Sequence, residues 1–373
     1  MSQPLAPASG RIAELDGLRA FAVICVVLYH MSAFSGALPS GPAWSASLIG
    51  VLGQTGVHVF FIISGFIITT LLRREAAAKG RVSLTSFYLR RFCRIVPPFA
   101  AYLAALLVVG SLGAISVSTS DLLWSALFLG NTNLVQPEGW FAAHTWSLSV
   151  EEQFYLIFPP LFCLGLRFCA SRTLYVLGPL YGLCLVSLKL GYELSIHVAP
   201  GWINLAGLHH FRYIIIGVLL ATHGSSVMRF LTHRSRAWPF VFAVTIVLLQ
   251  WVSARSFVAI AFAAIEPFFC GAFVIWFIQN PTRCSVLRWP AVQWIGACSY
   301  SIYLWQQLFT GPAPLYHGWT FTQSPWAIVP LTACAAASYY LVERPSIRLG
   351  RLLSGRRSIE RDPDLKTAQD SSY

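Results

Sequence analysis

Charge is what this 373-residue chain has least of: Asp, Glu, Lys and Arg together make up 11% of it. A soluble domain carries about 25%, because its surface has to be solvated. That shortfall excludes the one or two soluble domains that length alone would allow. Acid is scarcer still, with 14 Asp and Glu against 26 Lys and Arg and a formal charge of +12. No hydrophilic stretch is long enough for an independent soluble domain, so any chemistry is expected among the apolar segments. The nine cysteines contain no CxxC pair and fall in or beside apolar runs, which argues against a disulfide framework or a zinc site. The N-terminus lacks the design of a signal peptide, since Arg11, Glu14, Asp16 and Arg19 precede the first apolar run and no cleavage site follows it. That run is read as a retained first helix. Internal or inverted repeats of the transporter kind are also missing.

What is abundant is hydrophobic sequence, 56% of the chain. Crossing a bilayer as a helix takes about 20 apolar residues. Such runs recur near 15–34, 46–72, 96–116, 147–167, 173–190, 203–223, 238–253, 257–279, 291–311 and 325–343. The expected fold is therefore all-α, a polytopic membrane protein of about ten transmembrane helices. Gly53 and Gly56 are expected to tilt or break the second run. Basic residues fall on alternate connections: Arg73 to Arg94, Arg167 with Arg172, Arg229 to Arg236, Arg283 with Arg288, and Arg344 to Arg357. The opposite loops hold almost none. This positive-inside pattern puts both termini in the cytoplasm and accounts for the net charge without a nucleic-acid partner. It divides the chain into a cytoplasmic segment 1–11, a membrane domain 12–348 and a polar, disordered cytoplasmic tail 349–373.

Ionisable side chains in apolar helices are costly and point to function. Arg19 and His30 are eleven residues apart, close to three helical turns, so they share a face about 16 Å apart along the axis. The bland alternative is a His30 that only donates to a backbone carbonyl. Asp16 reads as an N-cap. Glu151 and Glu152 enter the fourth run side by side and must face different directions; one of them, or a cap at Ser147 or Ser149, can be explained by the helix dipole. Arg90, Arg91 and Arg94 can converge on one turn, an arrangement suited to phosphate oxygens, although topogenic charge would also supply arginines. Ser64 and Gly65 read as small residues that let helices approach, and His58 is a secondary candidate.

Six blocks in order resemble the acyltransferase-3 family of membrane O-acyltransferases: Leu15-Asp16-Gly17-Leu18-Arg19-Ala20 with His30; Gly56-Val57 through Ser64-Gly65-Phe66; Phe87 through Arg94; His144 through Tyr155; Ser299 through Trp305; and Glu343-Arg344-Pro345. The resemblance implies a helical domain around a central acyl-CoA pore. It implies transfer of an acyl group, acetyl by preference, from cytoplasmic acyl-CoA to a carbohydrate hydroxyl at a bacterial inner membrane. The donor is a substrate; no permanently bound cofactor and no metal are implied. His30 becomes the candidate base, Arg19 its partner along the pore, and Arg91 and Arg94, with Arg90, the candidates for the CoA phosphates. Glu151 or Glu152 would orient the imidazole or bind the acceptor. His144, Trp146, Ser147, Tyr155, Tyr300 and Gln306 are the candidates for contact with substrate. Gln306 stands where the family often has histidine, and an amide cannot titrate near neutrality. The segment Phe211-Arg212-Tyr213 lacks the family's following Glu, which leaves the partner of Arg212 open. Direct transfer and an acyl-enzyme both remain open, as does oligomeric state. A transporter working without CoA, or a scaffold without chemistry, would account for intramembrane charge as well.

Overall fold

A computed structural model describes residues 12–36, 43–132, 139–165, 177–188, 205–231, 237–253, 259–281 and 284–360. Nearly all of them are helical, and no strand forms among the described residues beyond the isolated bridge between Ile115 and Tyr316. The helices are α1 (Ala13–Ala33), α2 (Ala43–Lys79), α3 (Leu84–Ser111), α4 (Thr119–Ala126), the single turn α5 (Trp140–Ala143), α6 (Thr145–Gly165), α7 (Leu177–Leu188), α8 (Phe211–Leu231), α9 (Trp238–Ser253), α10 (Ala259–Gln279), α11 (Pro290–Ala297), α12 (Ser299–Phe309), α13 (Ile328–Ala337) and α14 (Arg344–Glu360). A π-helical turn, Ser338–Glu343, joins the last two.

Five of these stretches are long and apolar enough to cross a membrane: Ala13–Ala33, Leu48–Lys79, Leu84–Ser111, Ala261–Gln279 and Pro325–Gly355. The surface supports the same reading. Leu107, Leu156, Phe240 and Leu341 are 55%, 66%, 72% and 75% exposed on four different helices, an outward apolar surface of the kind that faces lipid. Buried polar and ionic groups point inward instead, as a bilayer requires.

Several expectations are refined. The second run is an unbroken helix of 37 residues. Its glycines serve contact: a Cβ on Gly56 would lie 2.5 Å from the carbonyl oxygen of Ala22, so α1 lies directly against α2. Gly65 and Gly217 do the same reciprocally for α2 and α8, where added Cβ atoms would lie 2.2 Å from the carbonyl oxygens of Ile214 and Ile62. Pro97 and Pro98 lie inside α3, so the arginine cluster and the following span are one helix. The ninth run is two helices, α11 and α12, meeting at Cys298. The sixth begins as a 3-10 turn, Leu205–His210, before α8. The stretch from 349 is helical as far as Glu360; 361–373, the segment 1–11 and Cys169 lie outside the described residues. The other eight cysteines are unpaired thiols.

Candidate active site

Helix α1 packs against α2, α11 and α12 and brings Arg19 to one cavity and Tyr29 and His30 to another. Arg19 lines the smaller, about 80 Å³, together with Arg91 and Arg94 of α3, Ser64 of α2, Ser147, Glu151 and Tyr155 of α6, and Tyr300 of α12. His30 lines the larger, about 540 Å³, together with His144, Trp140 and Trp146, His58 of α2, and Arg212 and Glu266 of α8 and α10. Both cavities are bounded by Val57 and Tyr303. A helix face shared by Arg19 and His30 therefore serves two adjoining chambers that have Val57 and Tyr303 in common.

The smaller chamber is cationic, with three guanidiniums against one carboxylate. Its geometry explains the surplus. Ser64 Oγ donates to Glu151 Oε1 at 2.8 Å, and the Tyr155 hydroxyl donates to Oε2 at 3.1 Å, so both oxygens of Glu151 are engaged. Arg91 lies 5.0 Å over the ring of Tyr155, a cation–π contact. Arg19 pairs with Asp16 at 3.9 Å. Asp16 is thus not the N-cap, a position held by Ile12; it sits in the first turn and faces Arg19. Tyr300 donates to the Ile95 carbonyl at 2.9 Å and pins α12 to α3. Arg90 turns the other way, to Glu75 at 3.4 Å, and is 40% exposed. It lies outside the chamber that Arg91 and Arg94 enter. Glu152 does not line that chamber either; its Oε1 is buried without a hydrogen-bond partner.

In the larger chamber, His30 Nδ1 meets Gln306 Oε1 at 2.8 Å. An amide oxygen only accepts, so Nδ1 carries the proton and Nε2 keeps its lone pair. The group that orients His30 is consequently Gln306, not Glu151 or Glu152, and Gln306 lines neither chamber. His144 is held the same way by the next residue: its Nδ1 donates to Gln307 Oε1 at 2.6 Å, and its backbone N–H donates to the same oxygen at 3.0 Å. Trp140 stands edge-on to His30 with centroids 5.5 Å apart and donates from Nε1 to the Gln307 carbonyl at 2.9 Å. Between the chambers the Tyr303 hydroxyl and Ser147 Oγ lie 2.6 Å apart, and Tyr303 also reaches the His144 carbonyl at 3.1 Å.

Gln307, Trp140, Tyr303 and Ser64 were not legible as site residues. Glutamine and tryptophan in apolar runs carry no charge signal, and Ser64 shows its role only when α6 is placed beside α2. A direct consequence is testable. Gln306→Leu leaves the His30 Nδ1–H without an acceptor, and loss of tautomer control should lower kcat for the protein's reaction by about tenfold. Measurement with saturating substrates should show the drop with little change in apparent donor affinity.

Elsewhere in the lining of the larger chamber, His58 Nδ1 lies 3.3 Å from Glu266 Oε1 and its ring stacks on Tyr213 at 3.7 Å. Glu266 also accepts from Gln250 Nε2 at 2.9 Å, from Cys270 Sγ at 3.0 Å and from the Tyr213 hydroxyl. His58, Glu266 and Cys270 bring one ligand atom each within 4.8 Å of one another, but the carboxylate they would share is already saturated with donors.

The fold and these chambers define a helical membrane protein that keeps cations, carboxylates and imidazoles together inside its bundle. The chain belongs to the acyltransferase-3 family, whose acyltransferase domain matches residues 12–342. It is similar to a "Putative O-acetyltransferase" of Staphylococcus aureus strain COL, 26% identical over 79% of this chain and 50% of the relative. It is similar to the "Putative peptidoglycan O-acetyltransferase YrhL" of Bacillus subtilis strain 168, 26% identical over 95% of this chain and 58% of the relative. It is 28% identical to the O-acetyltransferase OatA of S. aureus strain NCTC 8325, over 78% of this chain and 49% of the relative. The chain spans about half the length of these curated relatives. No solved structure matches it.

Proposed function

We propose that this protein moves an acetyl group from cytoplasmic acetyl-CoA to a hydroxyl of a carbohydrate, an exported or lipid-linked glycan of a bacterial inner membrane. The reading is supported first by one observation: α1 offers Arg19 to a chamber lined by Arg91 and Arg94 and His30 to a second chamber, with Tyr303 and Val57 between them. A phosphorylated donor arriving on one side and a neutral polyol on the other would need that division. The names of the relatives supply the acetyl group and the glycan class. The proposal includes about ten spans around a pore and both termini in the cytoplasm, as the alternating basic loops suggest.

In this mechanism the CoA phosphates lie against Arg91 and Arg94, and the pantetheine arm passes Arg19 toward Tyr303. His30 Nε2, its tautomer set by Gln306, takes the proton of the acceptor hydroxyl as its oxygen attacks the thioester carbon. The C–S bond breaks, CoA leaves as thiolate, and the imidazolium returns its proton to solvent or to the thiolate. Glu151, whose oxygens accept from Ser64 and Tyr155, sets one negative charge among the three arginines of the smaller chamber.

The test is CoA release from acetyl-CoA by purified protein supplied with a lipid-linked glycan extract. The pair Arg91→Ala/Arg94→Ala should raise KM for acetyl-CoA roughly 10- to 100-fold, the loss of one or two charge-assisted contacts, with kcat recovered at high donor. Arg90→Ala should change KM little, since Arg90 faces Glu75. A donor KM unchanged in the folded Arg91/Arg94 pair would remove the phosphate role. Glycan movement with no CoA requirement would favour a transporter.

A further inference from the structure

We infer that the larger chamber binds a sugar bearing an anionic group, a carboxylate or a phosphate, and that Arg212 is the residue that reads it. This deepens the acyltransfer reading and rests on it for the sugar, but not for the anion.

The argument starts from what each group on that wall still has to offer. Arg212 is 6% exposed and borders the chamber. Among the described residues its hydrogen bond runs from Nη2 to the Tyr213 hydroxyl at 3.1 Å, and the buried Nε and Nη1 have no partner there. No carboxylate among the described residues forms an ion pair with it: the ion pairs of the described bundle are Arg19–Asp16, His58–Glu266, Arg90–Glu75 and Arg288–Glu14. Glu266, the acid on the same wall, is linked to it only through Tyr213 and is already satisfied by His58, Gln250, Cys270 and Tyr213. A guanidinium that served merely as the counter-charge of Glu266 would be expected to touch it, because a buried ion pair pays its desolvation only with close geometry.

The neighbouring groups are of the same kind. His209 and His210 border the chamber with Nδ1 unpartnered, and the ring of His210 packs on Trp146 with centroids 4.4 Å apart. The residues of that wall therefore hold buried, unpartnered nitrogens beside an aromatic plate, with the Glu266 oxygens spent. A hydroxyl would answer one such nitrogen, but a guanidinium has five N–H donors and no acceptor, and its best-matched partner is a planar carboxylate or a phosphate. An indole face beside it suits a sugar ring. The metal alternative, through His58, Glu266 and Cys270, is disfavoured by the same facts, since a cation would have to displace donors from Glu266 with Arg212 close by.

Direct binding tests this without any catalytic step. Purified full-length protein would be titrated with methyl β-glucuronide, with methyl β-glucoside as the neutral isostere and with glucose 6-phosphate. The glucuronide or the phosphate should bind at least tenfold tighter than the glucoside, and which of the two is tighter names the anion. Arg212→Gln should abolish the preference, Arg212→Lys should keep part of it, and Glu266→Gln, which removes the opposing charge, should keep or widen it. Thermal unfolding would confirm that each variant is folded. Equal binding of charged and neutral sugars by wild type, absence of binding of all three, or a preference that survives Arg212→Gln would each overturn the proposal. The wild-type comparison stands even if a variant does not fold. Acetyl-CoA turnover measured in parallel separates failure of this subsite from failure of the acyltransferase reading.

Discussion

His30→Ala is expected to reduce acceptor-dependent CoA release by about 10²–10⁴-fold, the range that a positioned general base contributes. The expectation rests on the local geometry. With Nδ1 fixed on Gln306 at 2.8 Å, the free nitrogen of His30 is Nε2, the residue lines the larger chamber, and Trp140 packs edge-on against the ring. Alanine removes the base but leaves Arg19, Arg91 and Arg94 untouched, so donor KM should hold while kcat falls. A variant of similar size that can still donate to Gln306, His30→Gln, should fall as far, because an amide does not take up a proton near neutrality. Near wild-type turnover in either folded variant would take the base role from His30 and pass it to another imidazole of the same chamber, with His144 first in line. An acyl-histidine route predicts a different signature: acetyl label retained on protein in the absence of acceptor.

The second large effect concerns stability. Gly217→Val should sharply lower both the yield and the thermal midpoint of the detergent-solubilised protein. A Cβ at Gly217 would lie 2.2 Å from the Ile62 carbonyl oxygen and 2.8 Å from the Phe66 nitrogen, and neither backbone atom can give way without moving α2. Overpacking of this sort costs about 1–3 kcal/mol, and more when the backbone has to shift. Gly65→Ala meets the Ile214 carbonyl across the same contact, so Gly65→Ala and Gly217→Ala should combine to less than the sum of their separate losses. Gly182→Ala is the control: nothing lies within 4 Å of the added carbon, and alanine in a helix is favoured over glycine by roughly 1 kcal/mol. A midpoint for Gly217→Val equal to that of Gly182→Ala would show that α2 and α8 are not in contact here.

Much of the fold was legible because hydrophobic runs of membrane length have few other meanings. α1, α6, α9 and α10 fall within a few residues of the expected runs. What the runs concealed was continuity. Gly53 and Gly56 look like breaks in a linear reading, but glycine facing a neighbouring helix brings two backbones together; Pro97 and Pro98 lie inside α3, where neighbours and local adjustment satisfy the freed groups. The site divided in the same way. Charged and titratable residues announced themselves: Arg19, His30, Arg91, Arg94, His144 and Glu151 all border one of the two chambers. Their supports did not, because Gln306, Gln307, Ser64 and Tyr303 act through neutral hydrogen bonds between helices far apart in sequence. Arg212 was visible as a charge without a partner, and in the bundle its company proves to be Tyr213 and, through it, Glu266 on α10.

Gln306 and Gln307 are consecutive on α12, yet each grips the imidazole of a different segment, His30 of α1 and His144 at the start of α6. Neighbours on a helix point about 100° apart, so the two grips cannot be adjusted independently. A small roll of α12, which also carries Tyr300 against α3 and Tyr303 between the chambers, would re-aim both rings at once, much as one camshaft sets two valves. Occupancy of the arginine chamber that nudged Tyr300 would then be communicated to His30 without any part of the ligand reaching it.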